Sequence, residues 1–370
     1  MYKHDHRVVM TLDAGGTNFV FSAIQANEEI VESLILPSNA DNLEKCLETL
    51  ETGFSTIQHR LPEPAVAISF AFPGPADYKN GIIGELDNMP AFHGGVALGP
   101  FLEAKFGLPV FINNDGDLFV YGECIAGVLP ETNAMLTKAG SSKQYSNLIG
   151  FTLGTGFGCG IARNNELYLG DNGAAGEVWL LRHKNYRNVA LEEGVAIRAI
   201  QRVYREQSGD NRPLTPKDIF DIAEGTAEGN SDAAKKSFAE FGEIAGEGIA
   251  LVSTVLDGLV VIGGGIAAAK KYFMPALMGE LNGTINLMDG TPKPRLEMKA
   301  YNLDDPTDKA AFLQGTGIKI KVPGTNKLVD YDPVKRLGVV FSKLGASKAI
   351  ALGAYSFALN ELDKQEITIG

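Results

Sequence analysis

The sequence predicts an α/β protein made of two similar lobes. Its 370 residues exceed the size of one ordinary domain and suffice for two cores. A hydrophobic fraction of 45% and a charged fraction of 21% are typical of a globular chain. A strand, a glycine-rich turn and a second strand occur in this order twice, about 140 residues apart. This repeated hairpin is the observation that predicts two lobes of one kind.

The first hairpin lies near the amino terminus. Strand-like Val8–Leu12 runs into Asp13-Ala14-Gly15-Gly16-Thr17-Asn18, and the strand Phe19–Ile24 follows. Glycines let a ligand approach the main chain, and successive amides in such a turn can cradle phosphate oxygens. Thr17 adds a hydroxyl donor, and the Asp13 carboxylate is suited to hold Mg²⁺, directly or through water. An ordinary tight hairpin explains the pattern equally well.

The next elements lead to a carboxylate at a strand end. The short strand Val110–Ile112 is followed by Asn113-Asn114-Asp115, which would therefore lie at the edge where open α/β sheets bind ligands. Desolvation there would raise the pKa of Asp115 and make it a usable general base. An Asx-type cap is the equally weighted alternative. The preceding elements are predicted as a helix over Asn42–His59, a strand over Ala65–Phe70 and a helix over Leu98–Phe106.

The second hairpin repeats the first. Strand Leu148–Leu153 enters Gly154-Thr155-Gly156-Phe157-Gly158-Cys159-Gly160, and Ile161–Arg163 continues as a strand. Two such loops facing each other would clamp the β- and γ-phosphates of a nucleotide. Further on, Glu177 follows Gly176 and is a candidate acceptor for sugar hydroxyls, although the first turn of a helix also favours glutamate.

A third glycine cluster follows a long amphipathic helix. The helix is predicted over Ser231–Leu256, with Ser231 as its cap. Strand Leu259–Ile262 then leads to Gly263-Gly264-Gly265, against which an adenine ring can lie. With Ala268 the cluster also satisfies the dinucleotide pattern G-x-G-x-x-A, but no strand-ending acidic residue follows about twenty positions on. There is also no G-x-x-x-x-G-K-[ST] phosphate loop in the sequence.

The carboxyl-terminal part contains a segment that reads as an insertion, Pro292–Val334. Within it, the alternating Ile318-Lys319-Ile320-Lys321-Val322 and the Pro-Gly turn after it predict a hairpin. We expect surface decoration or an oligomer contact there. The chain is expected to close with a helix over Ala349–Leu362.

Composition excludes several classes of protein. The formal net charge is −12, which argues against nucleic acid as the main partner. No apolar stretch approaches the ~20 residues of a membrane span, and the first residues lack the apolar core of a signal peptide. Three distant cysteines exclude a disulfide framework and fit a reducing cytosol. We therefore expect a cytoplasmic protein that binds neither nucleic acid nor membrane.

Together the motifs resemble the ROK family of sugar kinases, repressors and open reading frames, which belongs to the actin-like ATPase fold. The resemblance covers nearly the whole chain except about Pro292–Val334. Its motifs occur in the family's order: Asp13-Ala14-Gly15-Gly16-Thr17, Pro73-Gly74-Pro75, Asn88, Gly107-Leu108-Pro109-Val110, Asn114-Asp115, Gly154-Thr155-Gly156, Gly176-Glu177 and Gly263-Gly264-Gly265.

The resemblance implies a two-lobed actin-like ATPase (ribonuclease H-like) fold with a central cleft, with lobes at 1–117 and 118–370. It also implies ATP with Mg²⁺ and phosphoryl transfer to a sugar hydroxyl, most often the 6-hydroxyl, with Asp115 as the base. The sugar ligands would be Asn88, Asn114, Glu177 and Glu192. The nucleotide and its metal would lie against Asp13, Gly15, Gly16, Thr17, Asn18, Gly154, Thr155, Gly156, Gly263, Gly264 and Gly265.

Three departures from the family pattern concern the sugar side. Leu180 stands where many relatives have a histidine, with His183 out of register. The cysteines of the relatives' zinc loop do not occur, so we predict no structural zinc. In the shortened segment Glu192 best matches a sugar-contacting glutamate of the relatives, and Glu193 is the alternative. The third departure, after the missing histidine and the shortened zinc loop, is Asp117, which stands where asparagine is usual.

Family members that regulate transcription offer a rival interpretation. They carry a helix-turn-helix segment of roughly 60–80 residues ahead of the first motif, whereas only a dozen residues precede Asp13 here. The negative charge also disfavours DNA. A sugar-binding protein that has lost catalysis is the other alternative. The resemblance further implies a homodimer.

Overall fold

The computed structural model of the chain describes residues 1–15, 17–74, 76–84, 90–314 and 317–369. These residues form two α/β units, each discontinuous in sequence. The first contains Met1–Pro130, Gly160–Ala175 and Lys343–Gly370, and the second contains Glu131–Cys159 and Gly176–Ser342.

The helices and strands are numbered in chain order. The helices are α1 (Leu43–Arg60), α2 (Leu98–Phe106), α3 (Asp115–Ile125), α4 (Val128–Lys138), α5 (Ile197–Ser208), α6 (Pro216–Glu224), α7 (Ser231–Leu256), α8 (Lys270–Leu281), α9 (Pro306–Gln314) and α10 (Ala346–Ile369). The strands are β1 (Val8–Ala14), β2 (Asn18–Gln25), β3 (Glu28–Glu29), β4 (Leu34–Pro37), β5 (Ala65–Ala71), β6 (Ala76–Asp77), β7 (Ile82–Ile83), β8 (Val96–Ala97), β9 (Val110–Asn113), β10 (Asn147–Leu153), β11 (Phe157–Arg163), β12 (Glu166–Leu167), β13 (Leu259–Gly263), β14 (Thr284–Asn286), β15 (Pro292–Pro294), β16 (Lys299–Asn302), β17 (Ile318–Lys321), β18 (Leu328–Tyr331) and β19 (Arg336–Phe341).

The first unit is built on a sheet in the order β3-β2-β1-β5-β9, with β4 also paired to β2. β1 and β2 are antiparallel, whereas β1, β5 and β9 are parallel. Alternate residues of β1 enter two cores: Met10 packs in a cluster with Phe54 of α1, and Val9 packs in a cluster with Leu352 of α10. Both faces of the sheet are therefore covered by helices, which explains why β1 is apolar on both sides.

The last helix, α10, belongs to the first unit and packs closely against α3. Two glycines permit the approach: a Cβ on Gly122 would overlap the carbonyl oxygen of Ala349, and one on Gly353 would overlap that of Leu118. This division differs from the predicted boundary between residues 117 and 118. Local sequence patterns indicate a helix over α10 but not the unit against which it packs.

We expect Gly122→Ala to lower the free energy of unfolding by about 2–3 kcal/mol, because its methyl group forces α3 and α10 apart. The matched control is Gly279→Ala in α8, where an added Cβ has no heavy atom within 4 Å. That change should leave stability unchanged or raise it by about 0.5–1 kcal/mol. Thermal midpoints of the two variants measure the difference, and equal midpoints would contradict the close packing of α3 and α10.

The second unit contains most of a six-stranded sheet in the order β12-β11-β10-β13-β19-β16. β10, β13, β19 and β16 run parallel. The predicted helix over Ser231–Leu256 is confirmed with these bounds. Its predicted cap is wrong: the Asn230 side chain caps it by accepting from the amide of Ala233, and the Ser231 hydroxyl instead donates to Ala223.

Only part of the predicted insertion, Pro292–Val334, lies on the surface outside the core. β16 pairs with β19 in the sheet of the second unit, and Tyr301 of β16 packs on Phe312 of α9, with both side chains buried. The predicted hairpin is confirmed as β17 and β18, whose residues are all exposed. No helix among the described residues has both the length and the apolar character needed to cross a membrane.

Candidate active site

The register of the strands places Asp13 and the segment leading to Asp115 at the same edge of the first unit's sheet. Asp13 of β1 lies opposite Ala71 of β5, and Ala71 lies opposite Asn113 of β9. The carboxyl ends of these three parallel strands therefore align, and the chain continues from Asn113 into Asn114 and Asp115. Asp13 is close enough for its charge to act on the pKa of Asp115.

Asp115 is the first residue of α3, and Asn114 is the N-cap. The amide of Gly116 donates to Oδ1 of Asn114 at 2.8 Å and to Oδ1 of Asp115 at 2.8 Å. The predicted Asx-type cap is thus present in Asn114, and it fixes the backbone that carries Asp115. The cap and a catalytic role for Asp115 are therefore compatible.

The pKa of Asp115 is raised above the ordinary value of 3.8. The main cause is that surrounding protein atoms withdraw the carboxylate from bulk water; backbone amides oppose the rise, and the charge of Asp13 adds to it. The residue nevertheless keeps an exposed surface, as contact with an incoming hydroxyl requires. A carboxylate with a raised pKa and open access has the properties of a general base.

This raised pKa has a consequence for stability. The pKa of Asp115 is higher in the folded protein than in the unfolded chain. The ionised carboxylate therefore lowers the free energy of unfolding at pH values above the folded-state pKa, and this destabilisation disappears below the ordinary value of 3.8. Asp115→Asn should therefore raise the thermal midpoint of the metal-free protein at pH 7, and the gain should shrink as the pH is lowered toward 3.8. Midpoints measured against pH test this; a variant less stable than wild type at pH 7 would contradict it.

The first glycine turn presents polar groups next to Asp13. The amide of Gly15 donates to the carbonyl of Asn18 at 3.0 Å, and that of Ser38 donates to the carbonyl of Thr17 at 2.9 Å. Asp13, Thr17 and Asn18 are exposed. Gly16 lies outside the described residues. A cavity of about 450 Å³ is lined by Asp13, by other residues of β1 and β2 and by the first turns of α10.

The second glycine turn, in the second unit, is held by a carboxylate and a guanidinium. Oε2 of Glu192 accepts from the amide of Phe157 at 2.9 Å, and a Cβ on Gly156 would lie 2.6 Å from the same oxygen. Arg198 pairs with Glu192 at 2.8 Å and donates to the carbonyl of Thr155 at 3.4 Å. Thr155 itself is exposed, and among the described residues other than its chain neighbours no heavy atom lies within 4 Å of a Cβ built on Gly154.

The third glycine cluster lies beside the second turn. Gly263 of β13 is opposite Thr152 of β10, so the residues that follow both strands are neighbours. Gly264 has a φ of +93°, and a Cβ there would overlap the carbonyl oxygen of Leu153. A Cβ built on Gly265 would have no heavy atom within 4 Å among the described residues other than its chain neighbours. The second unit thus brings Gly154–Gly156 and Gly263–Gly265 together.

Of the two glutamates predicted for the sugar side, Glu177 is the N-cap of the short 3-10 helix Val178–Leu180, and Glu192 lies in the neighbouring one, Leu191–Gly194. The amide of Leu191 donates to the carbonyl of Leu181 at 2.6 Å and joins them. Glu177 is exposed and accepts a hydrogen bond from the Trp179 indole. Asn88 lies outside the described residues.

Sequence reasoning missed the two side chains that engage these glutamates, Trp179 and Arg198. Arg198 lies six positions beyond Glu192, and nothing in that spacing marks the pair. His183 is buried, and its Nδ1 accepts from the amide of Asn185 at 3.1 Å. Burial lowers the pKa of His183, which packs inside the second unit, whereas Leu180, at the position where the family resemblance suggested a histidine, is exposed.

Known proteins that resemble this chain include bacterial sugar kinases. A glucokinase from Parabacteroides distasonis of known structure is 57% identical, with a TM-score of 0.90 over 97% of this chain and 99% of that one. An N-acetyl-D-glucosamine kinase of Vibrio parahaemolyticus is 26% identical over 69% of this chain and 83% of its own length. A glucokinase of Thermotoga maritima is 26% identical over 45% of this chain, which spans 48% of that relative.

The sequence model of the ROK family matches residues 9–307. That range includes both glycine turns, Asp115, both short 3-10 helices and the Gly263–Gly265 cluster. The predicted α/β actin-like ATPase fold is confirmed by this match and by the solved relatives. Because the family model matches most of its length, the chain belongs to the ROK family.

Proposed function

We propose that the chain is an ATP-dependent carbohydrate kinase that transfers the γ-phosphoryl group of ATP to a hydroxyl of a hexose or N-acetylhexosamine, the 6-hydroxyl. The observation that carries the proposal is the placement of Asp115. This carboxylate has a raised pKa and an accessible surface, and it lies at the same sheet edge as the first glycine turn. Membership of the ROK family supports it.

In the proposed reaction, Asp115 accepts the proton of the attacking sugar hydroxyl. The sugar oxygen forms a bond to the γ-phosphorus as the bond from that phosphorus to the β-phosphate oxygen breaks, which releases ADP. Phosphoryl transfer needs little covalent chemistry from the protein, so positioning and charge stabilisation dominate. The N-cap of Asn114 fixes the position of the base.

The nucleotide would lie against main-chain amides of the glycine turns. Gly15, Gly16, Thr17 and Asn18 would hold phosphate oxygens in the first unit, and Gly154, Thr155 and Gly156 in the second. Gly263, Gly264 and Gly265 would take the adenosine. The surroundings of Gly154 and Gly265 fit this assignment, because a Cβ built on either would have no heavy atom within 4 Å among the described residues other than its chain neighbours.

The donor set at the first turn fits Mg²⁺. Asp13 offers an exposed carboxylate, and hard oxygen ligands are the ones that Mg²⁺ prefers. Asp13 would hold the ion directly or through water. When bound, Mg²⁺ neutralises charge on the transferred phosphate.

The sugar would be bound by Asn114 and Glu177, with Asn88 and Glu192 as further ligands and Glu193 as the alternative to Glu192. Glu192 already pairs with Arg198 and the amide of Phe157, so it also connects the sugar side to the second glycine turn. Glucose is the first acceptor to test, because the solved relative that is 57% identical is a glucokinase. We place the enzyme in the cytoplasm, in keeping with its three cysteines, which are buried and not paired in disulfides.

The test is a coupled ADP-release screen over hexoses, N-acetylhexosamines and ketoses with ATP and Mg²⁺. We expect turnover that depends on one of the first two classes and a negligible rate without sugar. Sugar binding by calorimetry without any turnover would favour the non-catalytic alternative. Specific duplex binding at physiological salt would favour a regulator.

A further inference from the structure

The single tryptophan of the chain lies on the turn that carries Glu177. Trp179 is the middle residue of the 3-10 helix Val178–Leu180 and is 40% exposed. Val178 is buried and anchors the turn, whereas Leu180 is 61% exposed. Tryptophan is highly buried on average in folded proteins, although single exposed apolar residues are ordinary. Its contact with Glu177 distinguishes Trp179 from such residues.

The indole of Trp179 holds the carboxylate of Glu177 through the edge of its ring. The indole Nε1–H donates to Oε2 of Glu177. The indole nitrogen is a donor only, whereas an ionised carboxylate has about four acceptor positions, so Glu177 keeps the capacity to accept from a sugar hydroxyl. Because the donor lies at the ring edge, this contact does not cover the faces of the ring. The carboxylate therefore lies beside the rim of an exposed aromatic surface.

The turn that carries these two side chains is fixed to β11. Gly176 has a φ of +87°, and a Cβ there would lie 2.4 Å from the carbonyl oxygen of Cys159 in β11. Only glycine permits this close approach of the two backbones. The amide of Leu181 donates to the carbonyl of Val178 at 3.0 Å and closes the turn. The two side chains therefore have a rigid support, which the precise placement of a ligand requires.

The acceptor that fits this pair of side chains is a sugar in its pyranose form. A pyranose with equatorial substituents, such as glucose or N-acetylglucosamine, carries C–H groups on its faces and hydroxyls around its rim. Packing one face on an indole removes apolar surface of both rings from water. The rim hydroxyls then point outward, toward the edge of the indole, which is where Glu177 lies. An open-chain polyol has the same hydroxyls but no such face.

We propose that Trp179 is a sugar-binding and specificity-determining residue, whose N–H orients Glu177 and whose ring face selects a pyranose. Leu180, at the position where the resemblance suggested a histidine, has no hydrogen-bonding side chain. Trp179 supplies the polar side-chain contact to Glu177 on this turn instead. The inference rests on the proposed function and adds to it the form of the acceptor.

The test compares Trp179→Phe and Trp179→Leu with wild type on the best sugar of the ADP-release screen. Both variants lose the N–H donor, and only phenylalanine keeps an aromatic face. We expect the KM for sugar to rise about 10-fold in Trp179→Phe and about 100-fold in Trp179→Leu, while the KM for ATP changes little. The control is Tyr331→Leu, which removes a 48% exposed aromatic side chain from the β17–β18 hairpin and should leave both KM values unchanged.

A second readout uses the fluorescence of Trp179, since no other tryptophan occurs in the sequence. Sugar added to wild type without nucleotide should change the tryptophan emission, because the sugar displaces water from the indole. The change should saturate, with a half-saturating concentration equal to the dissociation constant from calorimetry. Sugar binding seen by calorimetry with unchanged emission would overturn the proposal.

The outcomes separate the role of Trp179 from the proposed function. If wild type turns over a sugar, a sugar KM unchanged in Trp179→Leu, or equal in the two variants, overturns the role of Trp179 and leaves the kinase assignment intact. A best acceptor that is an open-chain polyol overturns the selection of a pyranose. A wild type without turnover on any sugar refutes the kinase. Calorimetry on wild type and Trp179→Leu then decides the role of Trp179, which equal affinities or an absence of sugar binding would overturn.

Discussion

Asp115→Asn is expected to lower kcat by about 1,000-fold while the KM values for sugar and ATP change little. The amide keeps the shape of the side chain and the hydrogen-bond acceptor for Gly116, but it cannot take a proton from the sugar hydroxyl. General-base catalysis by a positioned side chain contributes about 10²- to 10⁴-fold. Steady-state kinetics on the best sugar of the screen give the comparison.

The matched control is Asp117→Asn, two residues further along α3. It makes the same chemical change at a position where asparagine is usual in the resembling family, so activity should stay within a few-fold of wild type. A thermal midpoint of Asp115→Asn at or above that of wild type, as expected from the raised pKa of Asp115, would show that its loss of turnover does not come from unfolding. Full turnover in Asp115→Asn would show that Asp115 is not the general base.

Asp13→Asn should lower turnover by about 10- to 100-fold, the range found when a group that holds or orients a metal is replaced. The amide offers Mg²⁺ a neutral oxygen instead of a carboxylate. The half-saturating Mg²⁺ concentration should rise, and excess Mg²⁺ should restore part of the activity. Titration of the rate with Mg²⁺ at saturating sugar measures both effects.

Two observations separate this role of Asp13 from a general charge effect. Asp41→Asn removes an exposed carboxylate elsewhere in the first unit and should leave the Mg²⁺ dependence unchanged. In the metal-free protein, Asp13→Asn should also lower the pKa of Asp115, because the charge of Asp13 contributes to raising it. An Mg²⁺ dependence like that of wild type would show that Asp13 does not hold the ion.

Patterns within one segment carried the sequence predictions furthest. The helix over Ser231–Leu256 and the strand ending before Gly263 follow from apolar periodicity, and both occur where expected. The position of Asp115 at a strand end also follows from its own neighbours. These features depend on residues a few positions apart, and local spacing determines them.

What sequence reasoning missed depends on contacts between distant segments. The return of α10 to the first unit rests on Gly122 and Gly353, which look like ordinary helix glycines in the sequence. Arg198 became a candidate only when the fold placed it against Glu192 and the carbonyl of Thr155. The cap of α7 shows a smaller limit, because Asn230 and Ser231 are both good caps and the sequence does not choose between them.

The most direct test follows the phosphoryl group itself. Wild-type protein is incubated with γ-labelled ATP, Mg²⁺ and glucose, and the products are identified by mass spectrometry and phosphorus NMR. We predict that the label appears in a hexose phosphate, on the 6-oxygen, in amounts equal to the ADP formed, and that Asp115→Asn forms almost none. Label recovered only as inorganic phosphate, with no labelled sugar from any hexose or N-acetylhexosamine, would contradict a sugar kinase.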